Sequence, residues 1–98
     1  MIYAPINAVT GKPYQGKNIE ILTASAQKLG TSDPRWVTYI QALKSGWYVR
    51  KGSKGTAITY VTETQNEDGK MQKKRMLFTV FNAAQVEGIE PLEQKKSQ

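Results

Sequence analysis

The dipeptide Asp68-Gly69 stands between two long runs of β-type sequence, and it constrains the fold more than any other feature of the chain. The run before it, "TAITYVTET" (56–64), alternates along its length. The run after it, "KMQKKRMLFTVF" (70–81), is charged near the turn and apolar farther away. Asp-Gly between such runs is a strong hairpin signal. We therefore expect an antiparallel hairpin with "QNEDG" as its turn. The alternation assigns Thr56, Ile58 and Tyr60 to one face of its first strand, and Ala57, Thr59 and Val61 to the other.

A first helix is predicted before the hairpin, over residues 18–29. Apolar residues recur at spacings of three and four from Ile19 to Leu29, which makes one helical stripe. Asn18 stands where an N-cap is wanted, and Gly30 is suited to end the helix.

A second helix ending at Gly46 has two possible starts. Asp33 could cap it with Pro34 at the first helical position. Alternatively, "TYIQ" is a capping box in which Thr38 caps and Gln41 reaches back. We favour the capping box because it satisfies two unpaired N–H groups, and it leaves residues 35–37 extended.

The remaining segments complete an α+β domain over residues 1–90. Residues 1–17 read as an extended lead rich in turns, "WYVR" (47–50) as a short strand and "KGSKG" (51–55) as a turn. Asn82 can cap a short helical turn that Gly88 closes, and residues 91–98 form a polar tail. The expected fold is two helices packed on a three-stranded antiparallel meander, with a short C-terminal helical turn.

The composition argues against an enzyme. The chain has no cysteine and no histidine, so thiolate chemistry, the commonest general base and the commonest metal ligand are all missing. The acids lie in a turn, at helix starts and in the tail, and the serines have no base to activate them. We expect no catalytic residue, metal, cofactor or small-molecule substrate. No apolar run is long enough to span a bilayer and no secretory signal is evident, so we expect a cytoplasmic protein without a membrane partner.

The positive charge is unevenly distributed. Of the net charge of +6, all lies in residues 1–62, which hold eight Lys/Arg and two acids, whereas residues 63–98 hold six of each. In three stretches of the basic part, cations stand within a few residues of aromatics. Proteins that bind single-stranded nucleic acid combine a cationic track for the backbone with aromatic faces for the bases. The candidates for phosphate binding are Lys12, Lys17, Arg35, Arg50, Lys51 and Lys54, and those for stacking are Tyr14, Trp36 and Tyr39.

Two basic stretches have simpler interpretations. The glycines of "GSKG" match no complete phosphate-binding motif, so the stretch is a hairpin turn, a wall of a cationic groove, or both. The cations of "KKR" (73–75) are predicted to pair across the hairpin with Glu67 and Asp68.

Three stretches resemble the N-terminal domain of ArdC-type antirestriction proteins, which also occurs on plasmid TraC-like primases. They are "NAVTGKPYQGKNIEIL", "RWVTYIQALKSGWYVRKGSKGTAI" and "FTVFNAAQVEG", in that order. The family pattern N-x-x-T-G-x-x-Y-x-G-x-N matches from Asn7 to Asn18, and R-W-x-T-x-x-Q-A matches from Arg35 to Ala42. V-R-K-G-x-K-G follows from Val49 to Gly55, and F-N-x-x-Q-x-x-G from Phe81 to Gly88.

The resemblance implies sequence-independent binding of single-stranded DNA, in an antirestriction or DNA-transfer role of a plasmid or phage. It adds Thr38 and Gln41 to the candidate contacts, although we favour the cap for both. Family members usually continue into a second domain, which in ArdC-type proteins resembles a zinc metallopeptidase. That domain needs H-E-x-x-H, and this chain has no histidine. The alternative function is a protein-interaction module whose basic face grips an acidic partner, such as a restriction or replication enzyme.

Overall fold

A computed structural model describes residues 4–91 of the chain. Its elements in chain order are β1 (Ile6–Asn7), α1 (Lys17–Leu29), β2 (Arg35–Thr38), α2 (Tyr39–Lys44), β3 (Tyr48–Val49), β4 (Thr56–Gln65), β5 (Met71–Asn82), a 3₁₀ turn (Ala83–Gln85) and β6 (Val86–Glu87). Apart from Pro91, the predicted tail 91–98 lies outside the described residues.

The predicted hairpin is confirmed. β4 and β5 pair antiparallel in a continuous register from Thr56 opposite Val80 to Gln65 opposite Met71. Gly69 adopts a φ of 78° in the turn, a value that favours glycine. The Asn66 side chain stabilises the same turn by accepting bonds from the N–H groups of Asp68 and Lys70.

The prediction of two helices on a three-stranded meander is wrong. The main sheet has four strands in the order β1-β2-β5-β4, and a second sheet pairs β3 with β6. Residues 35–38 form β2, which lies between β1 and β5 instead of starting a helix. The capping box at Thr38 is present, but α2 that follows it has only six residues. A single helix, α1, is longer than this within residues 4–91.

The short strand and the C-terminal turn also differ from expectation. β3 does not join the hairpin meander; it pairs antiparallel with β6, with Tyr48 opposite Glu87. Asn82 caps a helical turn as predicted, but the turn is only three residues long and leads directly into β6. β3 and β6 pair although they are far apart along the chain, and local sequence patterns do not specify such a pairing.

The core lies on one face of the main sheet, here called the inner face. Ile58, Trp36 and Val80 project from three strands and pack with Leu22 of α1 and with Tyr14. The opposite, outer face carries Val37, which is fully buried.

α1 packs beside β4 as well as over the inner face, and Asn18 makes this contact. Its Nδ2 donates to the carbonyl oxygen of Thr59 (2.8 Å), and its Oδ1 accepts from the N–H of Thr59 (3.2 Å). The side chain therefore bonds the free edge of β4 as a neighbouring strand would. The helix itself begins after Gly16, without a side-chain cap, so the prediction of Asn18 as N-cap is wrong. Gly30 ends the helix in the left-handed conformation, as predicted.

The glycines of the 51–55 turn have structural roles. Gly52 has a φ of 85°. A Cβ at Gly55 would collide with Cγ2 of Thr79 and lie 3.1 Å from Cζ of Phe81. Gly52 thus permits the turn, and Gly55 permits the chain to approach the outer face of β5 closely.

Candidate nucleic-acid interface

A groove of about 670 Å³ lies between the N-terminal lead and β4. Residues 7–18 form one wall, Thr59 to Val61 form the other, and Gln41 of α2 contributes from one side. Lys12 lines the groove, and Lys17 lies in sequence between the lining residues Gly16 and Asn18; both lysines are exposed. The sequence-predicted residues Lys12, Tyr14 and Gln41 therefore meet here although 29 positions separate the first from the last.

Asn7 hydrogen-bonds both Tyr14 and Gln41, and we call these three residues the floor of the groove. Its Nδ2 donates to Oε1 of Gln41 (3.0 Å) and to the hydroxyl of Tyr14 (3.3 Å). Its Oδ1 accepts from the N–H groups of Val9 and Thr10, which closes the turn of the lead. Every hydrogen-bonding atom of the Asn7 amide is thus engaged, and the groove is preorganised.

The floor presents hydrogen-bond donors to the groove. Oε1 of Gln41 accepts from Asn7 and from the N–H of Thr38, so the amide donors of Gln41 are available. Burial raises the pKa of the Tyr14 hydroxyl to about 12; the bond from Asn7 opposes this shift and Tyr60 adds to it. Together with the Lys12 ammonium, the Gln41 donors suit acceptor-rich ligands such as phosphates and base edges.

Tyr60 is the aromatic that the groove exposes. Its side chain is 40% exposed and lines the wall that β4 contributes. Its ring packs edge-to-face on Phe78 at a centroid distance of 5.3 Å, which fixes its orientation. Burial raises the pKa of Tyr60, and the bond with Tyr14 opposes this shift.

Arg35 and Trp36 have structural roles instead of the DNA-binding roles predicted for them. Arg35 forms a bidentate pair with Asp33, at 2.9 Å through Nε and 2.7 Å through Nη2, and its Nη1 donates to the carbonyl of Glu90. The hydrogen bond to Asp33 raises the pKa of Arg35 above its ordinary value, against the opposing effect of burial. Trp36 is 1% exposed in the core, so a base cannot reach its ring while the domain is folded.

The predicted residues of α2 have separate environments. Thr38 accepts from the N–H of Gln41 at 3.1 Å, and Gln41 accepts from the N–H of Thr38, which confirms the capping box. Tyr39, the first residue of α2, is 53% exposed. Tyr14 is only 5% exposed, so its ring is not available for stacking on a base.

The basic turn after β3 does not line the groove. Lys51 and Lys54 are exposed, and the Lys54 carbonyl accepts from Nε2 of Gln85. Arg50 donates to the Ala84 carbonyl and lies 3.6 Å from the Glu87 carboxylate. The three cations of this turn therefore form a patch separate from Lys12.

Among the groove residues that were not predicted as site residues, Asn7, Asn18 and Tyr60 have specific roles. Asn7 was part of a family pattern without an assigned role, Asn18 was interpreted as a helix cap, and Tyr60 was assigned only to a strand face. The alternation of β4 does place Tyr60 on the face of Ile58, but no local signal indicates that the lead folds against this face.

The prediction that the cations at residues 73–75 pair with Glu67 and Asp68 is wrong. The register places Lys73 opposite Glu63, not opposite the turn acids. Within residues 4–91, the two salt bridges are Arg35–Asp33 and Arg50–Glu87. The "KKR" cations therefore face solvent without an ion-pair partner in the described part of the chain.

Two further features of residues 4–91 concern membranes and metals. None of their helices has the length and apolarity that crossing a membrane requires. Nor do they contain a cluster of three or more metal-ligating Asp, Glu, His or Cys side chains.

Comparisons with known proteins relate the chain to longer proteins of plasmids and bacteria. It is 39% identical to a DNA primase TraC of Escherichia coli, over 96% of this chain and 11% of the primase. It is 34% identical to the protein y4eC of Sinorhizobium fredii (strain NBRC 101917 / NGR234), over 94% of this chain and 34% of that protein. The chain thus spans a small part of these relatives.

Solved structures agree with this relationship. The antirestriction protein ArdC of plasmid R388 matches in its metal-free form with a TM-score of 0.72 and 35% identity, over 89% of this chain and 33% of that one. Its Mn(II)-bound form matches with a TM-score of 0.75 and 32% identity, over 91% and 32% of the two chains. The family model for the N-terminal domain of the anti-restriction factor ArdC matches residues 1–92. The chain therefore belongs to the family of ArdC N-terminal domains.

Proposed function

We propose that this domain binds single-stranded DNA in the groove between residues 7–18 and β4, in an antirestriction or DNA-transfer role of a mobile element. The observation that carries the proposal is the convergence of Lys12, Tyr14, Gln41 and Tyr60 on one groove. The kinship to DNA primases and to an antirestriction protein supports a nucleic-acid ligand.

Each part of the groove has a counterpart in an unpaired strand. The ammonium groups of Lys12 and Lys17 bind phosphates, an attraction that does not depend on sequence. The exposed ring of Tyr60 stacks on a base, an interaction worth about 1–3 kcal/mol per base. The amide donors of Gln41 bind acceptor atoms of a base or sugar. Duplex DNA keeps its bases stacked inside, so it cannot use Tyr60 in this way.

The test is the affinity of the domain for a fluorescent oligo-dT, measured by anisotropy beside duplex DNA and RNA of equal length. We expect single-stranded DNA to bind more tightly than duplex, with log K falling by about 0.7 per phosphate for each unit of log salt. The double variant Lys12→Gln/Lys17→Gln should bind several-fold more weakly. Lys28→Gln is the matched control, because Lys28 lies on the same helix about 16 Å farther along.

Two results would contradict the proposal. One is a wild-type domain that does not bind oligo-dT at low salt, or binds it no better than duplex. The other is a double variant that binds as well as the Lys28 control, which would show that the groove is not the binding surface.

A protein partner is the second candidate function, and one observation favours it. Ile40 and Leu43 of α2 are 63% and 45% exposed, and Lys44 beside them is exposed as well. Neighbouring apolar and cationic side chains fit a protein surface that combines apolar and acidic residues. Ile40→Ser/Leu43→Ser should abolish such an interaction in a pull-down while leaving oligo-dT affinity unchanged.

A further inference from the structure

The β4–β5 hairpin extends well beyond the groove, and beyond Tyr60 its two faces carry different charged residues: Lys74 alone on the inner face, and Lys73, Arg75 and Glu63 on the outer face. We call residues 61–75 the arm. We propose that the inner face of the arm carries the next nucleotides of the bound single strand, with Lys74 as a phosphate-binding residue beside Tyr60. This inference rests on the proposed function, and it assigns the direction in which the strand leaves the groove.

The strand register connects Lys74 to the groove. Tyr60 is opposite Met76, and Thr62 is opposite Lys74. Because side chains alternate along a strand, these four residues share the inner face with Phe78, which the Tyr60 ring contacts. Tyr60 and Lys74 are thus diagonal neighbours, about 7–8 Å apart at the backbone, within reach of long side chains.

The inner face of the arm suits a polyanion. Beyond Tyr60 it carries hydroxyl, amide and ammonium groups and no acid: Thr62, Thr64, Gln72 and Lys74. The Lys74 side chain is exposed and forms no salt bridge with the described residues. Its charge is therefore available to a phosphate next to the base that stacks on Tyr60.

The outer face of the arm is less suited to the same ligand. It carries two cations, Lys73 and Arg75, but Glu63 lies directly opposite Lys73, so a carboxylate stands beside one of them. Leu77, near the base of the arm, is 72% exposed on this face. A phosphate on the outer face would be repelled by the Glu63 carboxylate, whereas the inner face of the arm carries no acid.

Lys73 and Lys74 provide a matched pair of variants. They are adjacent, exposed and equally charged, but they project from opposite faces of the arm. General electrostatic attraction would be weakened equally by Lys73→Gln and Lys74→Gln. A strand that follows the inner face would feel only the second change.

The experiment measures both variants and wild type against oligo-dT of about 4 and about 12 nucleotides, lengths within the range that small single-strand-binding folds cover. With the longer oligonucleotide, Lys74→Gln should lower affinity about three- to tenfold, the loss of one net hydrogen bond, and reduce the salt slope by about 0.7. Lys73→Gln should bind it as wild type does. With the shorter one, which fills only the groove, both variants should equal wild type.

A gain of affinity gives a second readout. Thr64→Lys adds a cation to the inner face, and Gln65→Lys adds one to the outer face one residue away. We expect the first to tighten binding of the longer oligonucleotide and the second to leave it unchanged.

The experiment distinguishes a failure of the proposed function from a failure of the inferred path along the arm. A wild-type domain that binds neither oligonucleotide would contradict the proposed function, and this inference with it. Binding by wild type with equal losses from Lys73→Gln and Lys74→Gln, or with no loss from Lys74→Gln, would overturn the path along the inner face alone.

Discussion

Replacing Asn18 by alanine should detach α1 from the edge of β4 and destabilise the domain. Asn18 is 6% exposed, and both polar atoms of its amide bond the backbone of Thr59. Each such bond contributes about 0.5–1.5 kcal/mol net, and truncation leaves the N–H and C=O of Thr59 without a protein partner. We expect a loss of about 2 kcal/mol in the free energy of unfolding. For a domain of this size this lowers Tm by roughly 8–16 °C.

Hydrogen exchange provides the local readout. In wild type, Oδ1 of Asn18 protects the amide of Thr59, so Asn18→Ala should make this amide exchange faster. Asn18→Asp keeps the acceptor and loses the donor, so it should leave the Thr59 amide protected although the domain is less stable. Lys17→Ala, at the preceding exposed position, should change the unfolding free energy by no more than about 0.5 kcal/mol. Unchanged stability and unchanged Thr59 exchange in Asn18→Ala would refute the reasoning.

Three further predictions concern the turn, the groove floor and the basic patch. Gly55→Ala should destabilise the domain by about 1–3 kcal/mol in urea unfolding, because the new Cβ collides with Thr79. Tyr14 ionises near pH 10 when unfolded and near 12 when folded, so its contribution to stability is complete below pH 10 and is lost as pH rises to 12. Tyr14→Phe should remove that pH-dependent component from unfolding curves recorded at pH 9 and 11. Lys51→Gln/Lys54→Gln should weaken oligo-dT binding less than the groove double variant, because neither residue lines the groove.

Elements with local determinants were predictable from the sequence. The hairpin follows from alternation on both sides of Asp68-Gly69, and its observed strands differ from the predicted ones by one residue at most at each end. α1 follows from an apolar stripe that ends at Gly30. In both cases the contacts lie within one helix or between two strands that a single turn joins.

The sheet order was not predictable, because it depends on distant pairings. β2 has four residues, and its parallel partner β1 has only two, too few for an alternating pattern. β3 carries the β-type residues that suggested a meander, but it pairs with β6 instead. The capping box at Thr38 was correctly identified, yet it does not reveal that the residues before it form a central strand.

The candidate site, like the fold, was predictable from the sequence only in part. The sequence indicates which stretches are rich in cations and aromatics, but it does not distinguish a core aromatic from an exposed one. Trp36 and Tyr14 are buried, whereas Tyr60, outside the basic stretches, is exposed in the groove. Fluorescence quenching of Trp36 is therefore a poor probe of binding.

The most direct test of the central claim is a map of backbone amide shifts on adding oligo-dT to the labelled domain. We expect the largest changes in residues 7–18 and at Thr59 to Val61, the two walls of the groove. Changes confined to residues 50–55 or to α2, or no saturable changes at low salt, would contradict binding of single-stranded DNA in this groove.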